Sequence, residues 1–316
     1  MKIHVLVFTN AERPGPVTHE NLDIMKASAI KAGHELEIIS TRDCLLEFNT
    51  KPQVLIKNKK LRNIDVLLVK ANFRGSELSQ HISFIKQFEM AGVTVINNSR
   101  AVGRAKNKVR TLQRLNKHKI PIPKTYVIRS SEYIDKVVKS IGSYPVILKS
   151  VAGSQGVGVS IVESQRGLRS IIQMIGESEG VVSLMIQEYI KESSGKDIRV
   201  IVVGDKIVAA MERIATRRGE FRSNFKLGGK VRIAELTNKE KRIAIEATKV
   251  CSLDFAGVDI LRTKTGPKIL EVNANPGLAG ITQATKIDVG GAIVKYAAKA
   301  GMRSRKKKDE KRGRRV

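Results

Sequence analysis

Residues 255–277 read FAGVDILRTKTGPKILEVNANPG, two apolar runs separated by the turn-forming segment RTKTG. This pattern predicts a β-hairpin. If the turn is centred near Thr265, Asp259 lies opposite Glu271. Asn273 then follows Glu271 on the same face, because strand side chains alternate with a period of two residues. The sequence therefore predicts that three oxygen-bearing side chains converge on one face of this hairpin.

The converging side chains have the chemistry of a metal site. Two carboxylates and one amide, without His or Cys, form a hard-oxygen ligand set that suits Mg²⁺ shared with nucleotide phosphates. Two like charges directly opposed on a sheet are destabilising unless a cation lies between them. The alternative is a solvated face on which Asp259 or Glu271 pairs with Lys or Arg. Both acids stand between apolar residues, which favours burial and hence the metal site.

A second informative segment, residues 145–162, reads PVILKSVAGSQGVGVSIV. A strand that carries Lys149 enters a loop with Gly153, Gly156 and Gly158, and a second strand leaves it. Glycine allows backbone N–H groups to approach phosphate oxygens closely, and Lys149 would add a positive charge. The order of glycines matches neither of the common nucleotide-binding motifs, so an ordinary flexible hairpin is the alternative.

Two further segments are weaker signals. The QEYI segment, residues 187–190, follows an apolar strand and precedes a polar loop, where backbone groups would be able to read an adenine edge; a plain strand end is the alternative. The stretch from residue 212 to 224 contains four arginines: Arg213, Arg217, Arg218 and Arg222. These arginines form either a solvated charge run or a clamp for phosphates and carboxylates.

The order of apolar segments predicts the domain organisation. Short apolar runs alternate with helical patterns up to residue 96, which indicates a parallel α/β layer. Beyond Tyr126 the strands shorten, and Gly204 with Asp205 is a hairpin turn signal that predicts a largely antiparallel sheet. We expect a final helix over residues 288–299. The predicted units are an N-terminal α/β domain at 1–100, a central subdomain at 101–182, a C-terminal subdomain at 183–300 and a disordered basic tail at 301–316.

Charge is the outstanding feature of the composition, since 58 basic and 30 acidic residues give a formal net charge of +28. Residues 303–316 hold nine Lys or Arg and two acids, which leaves +21 on the remainder. This balance predicts an anionic partner. The tail is either a solvated charge run or a contact for RNA or the ribosome, or for an acidic protein.

The cysteine content and the hydropathy indicate the compartment in which we expect the protein. Cys44 and Cys251 belong to no Cys/His cluster, so the sequence supports neither a disulfide framework nor a zinc site. No apolar run approaches the roughly 20 residues of a membrane span. We expect a cytoplasmic protein without a membrane partner, and a homo-oligomer.

Taken together, these motifs resemble the ATP-grasp superfamily, and within it most closely the RimK-type glutamate ligases. The resemblance runs from about residue 99 to 300 and rests on VILKSVAGSQGVGV, QEYIKESSGKDIRVIVVGDKIVAAMER, FRSN, FAGVDIL and LEVNANPG in this order. It implies an α/β (α+β in part) ATP-grasp fold, in which an N-terminal parallel pre-ATP-grasp domain precedes two subdomains that clamp ATP. The first ninety or so residues match more loosely.

The resemblance also implies roles for individual residues. Asp259, Glu271 and Asn273 fall on the magnesium positions, which would hold Mg²⁺ or Mn²⁺, as two ions. The residues implied in ATP binding are Lys108 and Lys149 on the phosphates, Gly153, Ser154, Gly156 and Gly158 in the glycine loop, Glu188 and Tyr189 at the adenine, Asp197 on the ribose side, and Arg222, Ser223 and Asn224.

The activity implied is the ATP-dependent addition of glutamate to the C-terminus of ribosomal small-subunit protein six. An acceptor carboxylate would become an acyl phosphate, which the amine of glutamate attacks. Arg213 is our candidate catalytic residue, because a fixed guanidinium stabilises an oxyanion where the charge develops. Two alternatives remain: an ATP-grasp ligase that makes a small peptide or poly-glutamate, and a nonenzymic protein that binds the ribosome or nucleic acid through its charge.

Overall fold

A computed structural model describes residues 1–8, 19–61, 64–71, 78–151, 158–179, 183–217, 219–223 and 229–313. Its strands are β1 (Lys2–Val7), β2 (Glu35–Ser40), β3 (Cys44–Glu47), β4 (Gln53–Ile56), β5 (Lys59–Lys60), β6 (Val66–Lys70), β7 (Val95–Ile96), β8 (Thr125–Ile128), β9 (Val146–Ser150), β10 (Val159–Val162), β11 (Leu184–Glu188), β12 (Lys196–Val203), β13 (Lys206–Ile214), β14 (Lys230–Ile233), β15 (Phe255–Leu261) and β16 (Lys268–Asn273). Its α-helices are α1 (His19–Lys31), α2 (Leu78–Met90), α3 (Ser99–Ala105), α4 (Lys108–Lys117), α5 (Ile134–Ile141), α6 (Gln165–Glu179), α7 (Asn238–Val250), α8 (Ala279–Thr285) and α9 (Val289–Gly313).

The N-terminal sheet is parallel and has the order β2-β1-β6-β7. Strands β1 and β6 are almost continuously apolar and buried, as expected for parallel strands that are covered on both faces. The parallel α/β layer predicted for this part of the chain is confirmed. A small antiparallel sheet, β3-β4-β5, lies beside it and was not predicted, because its strands are short and β5 consists of two lysines.

The central sheet is antiparallel with the order β10-β9-β11-β8. It forms a separate small core with α5 and α6, in which Ile134, Leu168 and Ile186 are fully buried. Because β11 belongs to this sheet, the central unit of the structure extends to Glu188. The boundary expected at residue 182 therefore lies just before the last central strand.

The C-terminal sheet has the order β14-β13-β12-β15-β16 and is antiparallel throughout, as predicted from the hairpin signals. Gly204, with φ +62°, forms the turn between β12 and β13. Helix α7 packs against one face of the sheet. Its N-terminus carries a capping box, in which Thr237 and Glu240 each accept a hydrogen bond from the other's backbone N–H.

Helices α3 and α4 join the N-terminal and C-terminal sheets. Arg114 of α4 donates a hydrogen bond from Nε to the carbonyl of Val250 at 2.9 Å, and the N–H of Ile269 donates to the carbonyl of Pro121 at 2.8 Å. Both contacts are with the C-terminal subdomain. Residues 101–121, which we expected in the central subdomain, therefore pack outside the central core.

Helix α9 corrects one expectation. The final helix was expected to end near residue 299 and to be followed by a disordered tail, but α9 continues to Gly313. Its first half packs on α1 and β6 through Val289, Ile293 and Ala297, which recur at helical spacing. Residues 303–312 contain no Gly or Pro and consist mainly of good helix formers. Within the described ranges, no helix has the length and apolar character needed to cross a membrane.

Candidate active site

The predicted hairpin is present, and its oxygen-bearing residues share one face. Strand β15 pairs with β16 so that Asp259 faces Glu271 and Gly257 faces Asn273. Since alternate residues point to the same side of a strand, Asp259, Glu271 and Asn273 all lie on this face. The predicted register, with Asp259 opposite Glu271 and Asn273 on the same face, is therefore confirmed.

Asp259 is also part of a buried charge network. Both of its oxygens accept hydrogen bonds from Arg199, with Nη2–Oδ2 at 2.8 Å. Arg213 contacts the same carboxylate, with Nη2–Oδ2 at 3.0 Å. Arg213 also binds Asp197 in a bidentate pair, with Nε–Oδ1 at 2.6 Å and Nη2–Oδ2 at 2.5 Å. Asp197, Arg213 and Asp259 are all buried, so the two acids and two arginines compensate one another in a dry environment.

The network shifts the pKa values of its members. Burial tends to raise the pKa of Asp259, but Arg199 and Arg213 outweigh it and hold the pKa below its ordinary value. Burial raises the pKa of Asp197, and Arg213 opposes this only partly. The pKa of Arg213 is raised, because Asp259 and Asp197 outweigh the effect of burial. Arg213 is therefore a permanent cation at this face of the sheet.

Two lysines, Lys108 and Lys149, interact electrostatically with the carboxylate face. Lys149 of β9 donates a hydrogen bond from Nζ to Oε1 of Gln187 at 2.7 Å. Burial lowers the pKa of Lys149 to about 8, and Lys108 adds to this effect, whereas Glu271 and Asp259 oppose it. Burial likewise lowers the pKa of Lys108, the first residue of α4, and Glu271 again opposes. The two lysines and Glu271 are thus electrostatically coupled across the central and C-terminal sheets.

The two residues expected at the adenine lie at the end of β11. Oε1 of Glu188 accepts a hydrogen bond from the backbone N–H of Lys124 at 2.8 Å. The same oxygen forms an ion pair with Lys268, the first residue of β16. The hydroxyl of Tyr189 donates to Oγ of Ser194 at 2.6 Å. Glu188 therefore links the central sheet to the C-terminal sheet at the position where the chain passes from one to the other.

The structure describes only part of the predicted glycine loop and arginine segment. Gly153, Ser154, Gly156 and Asn224 lie outside the described residues. Gly158 has φ +71°, and its carbonyl accepts a hydrogen bond from the N–H of Ser150 at 3.0 Å, which closes the loop between β9 and β10. Arg222 pairs with Glu220 through Nε and Nη2 at 2.9 and 2.8 Å, and Ser223 is buried. Mainly through this hydrogen bond, Arg222 lowers the pKa of Glu220 to about 2.

The residues of the β15–β16 face fit a divalent ion. In the described part of the chain, no group of three or more His, Cys, Asp or Glu side chains is placed to hold a metal. The ligand set therefore depends on the amide of Asn273 as its third member. Nδ2 of Asn273 and Oδ1 of nearby Asn275 are buried and have no hydrogen-bond partner among the described residues. Such orphaned groups are costly in a folded protein, and bound phosphate and metal would satisfy them.

Sequence reasoning missed the role of Arg199. This residue opens the same strand as Asp197, two positions later, so the period of two places both side chains on one face. Register pairs Arg199 with Asp259, and the cross-strand contact follows from that register. Arg199 also lies against Gly257, where an added Cβ would come within 3.1 Å of the arginine Cδ. The pairing of β12 with β15 was not visible in the sequence.

An antiparallel central sheet that presents a lysine, Lys149, to the oxygen-bearing face of a second antiparallel sheet is characteristic of the ATP-grasp class of ligases. Two family models match the chain: RimK PreATP-grasp domain over residues 14–102 and RimK-like ATP-grasp domain over residues 105–297. The chain therefore belongs to the RimK-like ATP-grasp family of ATP-dependent ligases.

Curated relatives support this family, and solved structures share the fold. The probable alpha-L-glutamate ligase of Vibrio vulnificus is 37% identical over 276 residues, which cover 87% of this chain and 90% of the relative. The probable alpha-L-glutamate ligase 2 of Pseudoalteromonas atlantica is 38% identical over the same shares. ATP-grasp ligase PsnB, complexed with minimal precursor, has a TM-score of 0.73 at 17% identity and covers 94% of this chain and 98% of that one. D-alanine–D-alanine ligase of Bacillus anthracis, complexed with ATP, has a TM-score of 0.67 at 19% identity, over 98% and 99%.

Proposed function

We propose that this protein uses ATP and a divalent metal to activate a carboxylate as an acyl phosphate and to join it to the amine of glutamate. The observation that supports this proposal most is that Lys108 and Lys149 interact electrostatically with the face that bears Asp259, Glu271 and Asn273. Oxygen ligands for a cation and ammonium groups for phosphates are the two things that a metal–nucleotide complex requires. A solvated sheet face would not leave buried amide groups without partners.

In the proposed reaction, a carboxylate oxygen of the acceptor attacks the γ-phosphorus, the bond to the β-phosphate oxygen breaks, and ADP leaves. The glutamate nitrogen then attacks the carbonyl carbon, inorganic phosphate leaves, and the amine loses a proton to solvent. Lys108 and Lys149 would bind the phosphates, and Glu271 with Asn273 would hold the metal. Bound there, the metal neutralises negative charge on the β- and γ-phosphates.

Arg213 remains our candidate for stabilising the oxyanion of the tetrahedral intermediate. Its ion pairs with Asp197 and Asp259 use Nε and Nη2. We therefore assign the Nη1 group to the oxyanion. Two carboxylates that hold the guanidinium in place supply the preorganisation that electrostatic catalysis needs, since no reorientation is required when charge develops.

For the acceptor, we propose the C-terminus of ribosomal small-subunit protein six. This assignment is supported by the family, by relatives named as probable alpha-L-glutamate ligases and by the net charge of +28, which attracts acidic protein tails. The test is incubation with ATP, Mg²⁺ and glutamate, with and without that ribosomal protein, followed by mass measurement. Mass steps of one glutamate residue on the protein support the proposal. Glutamate polymer formed equally without the protein favours a small-peptide or poly-glutamate ligase instead.

A further inference from the structure

An open cleft lies outside the candidate active site, at the outer edge of the N-terminal sheet. Its volume is about 690 Å³. Its apolar lining residues are Ile38 and Ile39 of β2, Ile56, which is the last residue of β4, and Leu61, which directly follows β5. Among the described residues, none that is assigned to ATP or metal lines this cleft, so the proposed reaction gives it no role.

The rim of the cleft is basic. Lys57, Lys59 and Lys60 are exposed and belong to the turn and second strand of the β4–β5 hairpin. Their ammonium groups form no ion pair with any residue in the described ranges. Asp43 and Glu37 also line the cleft, but Glu37 is already engaged by Lys2, so the three lysines keep an excess of positive charge. Clustered like charges are unfavourable unless an opposite charge is bound, so the rim fits an anionic ligand.

A buried polar group also lines the cleft. The side chain of His4 is 7% exposed, and its Nε2 lies 2.9 Å from Oε2 of Glu37. Nδ1 of His4 is buried and has no hydrogen-bond partner within the described ranges. Glu37 is itself engaged by His4 and by Lys2, which together hold its pKa below the ordinary value although burial tends to raise it. The cleft is therefore lined by the His4–Glu37 pair as well as by the three lysines.

The backbone beside the cleft suits an extended peptide. Strand β2 is at the edge of its sheet and, within the described ranges, pairs only with β1. An edge strand presents unpaired N–H and C=O groups that an added peptide strand can bind. The apolar side chains that line the cleft are Ile and Leu, and no Phe, Tyr or Trp among the described residues lines it, so the described cleft offers no platform for stacking RNA bases.

We propose that this cleft binds an acidic peptide in extended conformation, namely the glutamate-rich end of the growing product. The identity of the peptide rests on the proposed function, because each addition of glutamate adds one negative charge to the product. Carboxylates of the bound peptide pair with the three lysines. The edge of β2 that is unpaired among the described strands hydrogen-bonds its backbone.

The position of β2 predicts when the cleft matters. Two strand spacings, about 10 Å in total, separate β2 from β6. The last residue of β6, Lys70, contacts the carbonyl of Pro276 beside the candidate active site, with Nζ–O at 3.5 Å. An extended chain advances about 3.3 Å per residue, so at least about three residues are needed to reach the cleft. The first additions should therefore not depend on it, whereas later ones should.

Direct binding tests the cleft without any catalysis. We would measure the fluorescence anisotropy of a labelled hexaglutamate peptide with the full-length protein, the variant Lys57→Ala/Lys59→Ala/Lys60→Ala, and the control Lys136→Ala/Lys139→Ala/Lys241→Ala. The control removes the same charge from lysines that are exposed elsewhere. We expect at least tenfold weaker binding for the cleft variant and near-native binding for the control. Equal effects in both variants, or no binding by the unmodified protein, overturn the proposal.

A second measurement ties the cleft to the reaction. In the ligation assay, the cleft variant should add the first glutamate at the native rate and give shorter products, while the control variant gives the native length distribution. An unchanged distribution in the cleft variant overturns the role in the reaction. If the unmodified protein ligates nothing, the proposed function fails, and the anisotropy result still decides whether the cleft binds acidic peptide. RNA binding should also be measured for the cleft variant. If this variant loses RNA binding but still binds hexaglutamate as tightly as the unmodified protein, the cleft is a nucleic-acid site and the proposal is overturned.

Discussion

At the scale of single residues, Glu271 and Asn273 differ from Asp259 in what already surrounds them. Asp259 is engaged by two guanidinium groups, whereas Nδ2 of Asn273 has no partner among the described residues. Glu271 interacts electrostatically with Lys108 and Lys149. A divalent ion at this face therefore depends most on Glu271, the carboxylate of the set that no arginine holds in the described structure.

The variant Glu271→Gln tests this dependence. Removing one formal charge with little change in volume should lower metal-dependent ADP release by roughly 100-fold or more, or about 2.7 kcal/mol of transition-state stabilisation. The thermal midpoint should stay within a few degrees of the native value. Glu246→Gln, on the exposed side of α7, is the control and should retain full activity. Native ADP release by Glu271→Gln would remove the metal assignment.

The lowered pKa of Lys149, about 8, predicts a pH dependence of nucleotide binding. Below pH 8 the ammonium form is present and can pair with phosphate; above pH 8 binding must first take up a proton. Between pH 7 and pH 9, the Kd of an ATP analogue with metal should therefore rise about tenfold. Calorimetry in buffers of different ionisation enthalpy would show the proton uptake. Lys149→Met should bind more weakly at both pH values, and a pH dependence that survives in this variant contradicts the assignment.

At the scale of elements, strands β12, β13 and β15 are joined on one face by the buried charge network. The charges of such a network compensate one another. Removing one member leaves a buried charge unpaired, which costs more than replacing the whole network with apolar residues. Strand register determines its membership: Asp197 pairs with Arg213, and Arg199 pairs with Asp259. The same network thus stabilises the sheet and orients the guanidinium that we assign to the oxyanion.

The variant Arg213→Met should destabilise the protein by about 3–5 kcal/mol, because it leaves Asp197 buried without its bidentate partner. The pair of Arg232 with Glu212 offers a matched control, because the Arg232 side chain is 67% exposed, and Arg232→Met should cost no more than about 1 kcal/mol. Urea unfolding at pH 7 measures both. Equal costs would show that the buried network does not stabilise the sheet. A native rate of glutamate ligation per folded Arg213→Met molecule would exclude the catalytic role.

The two halves of α9 should contribute very differently to stability. The first half is buried, whereas residues 302–310 are largely exposed. Truncation after Met302 should therefore leave the thermal midpoint within a few degrees of the native value. In contrast, Ile293→Ala should cost about 2–5 kcal/mol, because this side chain is 2% exposed and its loss leaves a cavity. Thermal unfolding followed by circular dichroism compares the two, and a larger loss on truncation would show that the basic half packs on the protein.

At the scale of the whole molecule, Asn97 fastens the N-terminal layer to the C-terminal sheet. Its side chain is fully buried, and Nδ2 donates to the carbonyls of Phe255 and Ala274 at 2.9 and 3.1 Å. Oδ1 accepts from the N–H groups of Asp254 and Phe255 at 2.7 and 3.2 Å. One side chain thereby satisfies backbone groups at both ends of the segment that carries the metal positions.

Replacing this side chain should loosen the whole molecule. Asn97→Ala leaves buried backbone donors and acceptors unpaired, so we expect a loss of roughly 3–4 kcal/mol in the free energy of unfolding. The neighbouring Asn98→Ala removes only the N-cap of α3 and should cost about 1 kcal/mol. Chemical denaturation measures both variants. Similar costs at the two positions would contradict the fastening role of Asn97.

Much of this molecule was predictable wherever the deciding contacts are local. Alternation within β15 and β16 was sufficient to place Asp259 opposite Glu271, and the apolar runs of β1 and β6 were sufficient to indicate a parallel layer. The extension of α9 was missed, because a charge run was taken for disorder although its residues are good helix formers. The roles of most candidate nucleotide-binding residues stay predictions, including those in the glycine loop.

The sequence by itself determined the hairpin, its three oxygen-bearing side chains and the family, since these depend on turn signals, on period-two alternation and on motif order. Only the tertiary structure decided which cations meet which acids. Arg199 and Arg213 reach Asp259 because β12 lies between β13 and β15, and Lys149 interacts electrostatically with Glu271 although the two residues belong to different sheets. Strand order and the packing of sheets depend on contacts between residues far apart in the chain, and periodicity within one segment carries no information about them.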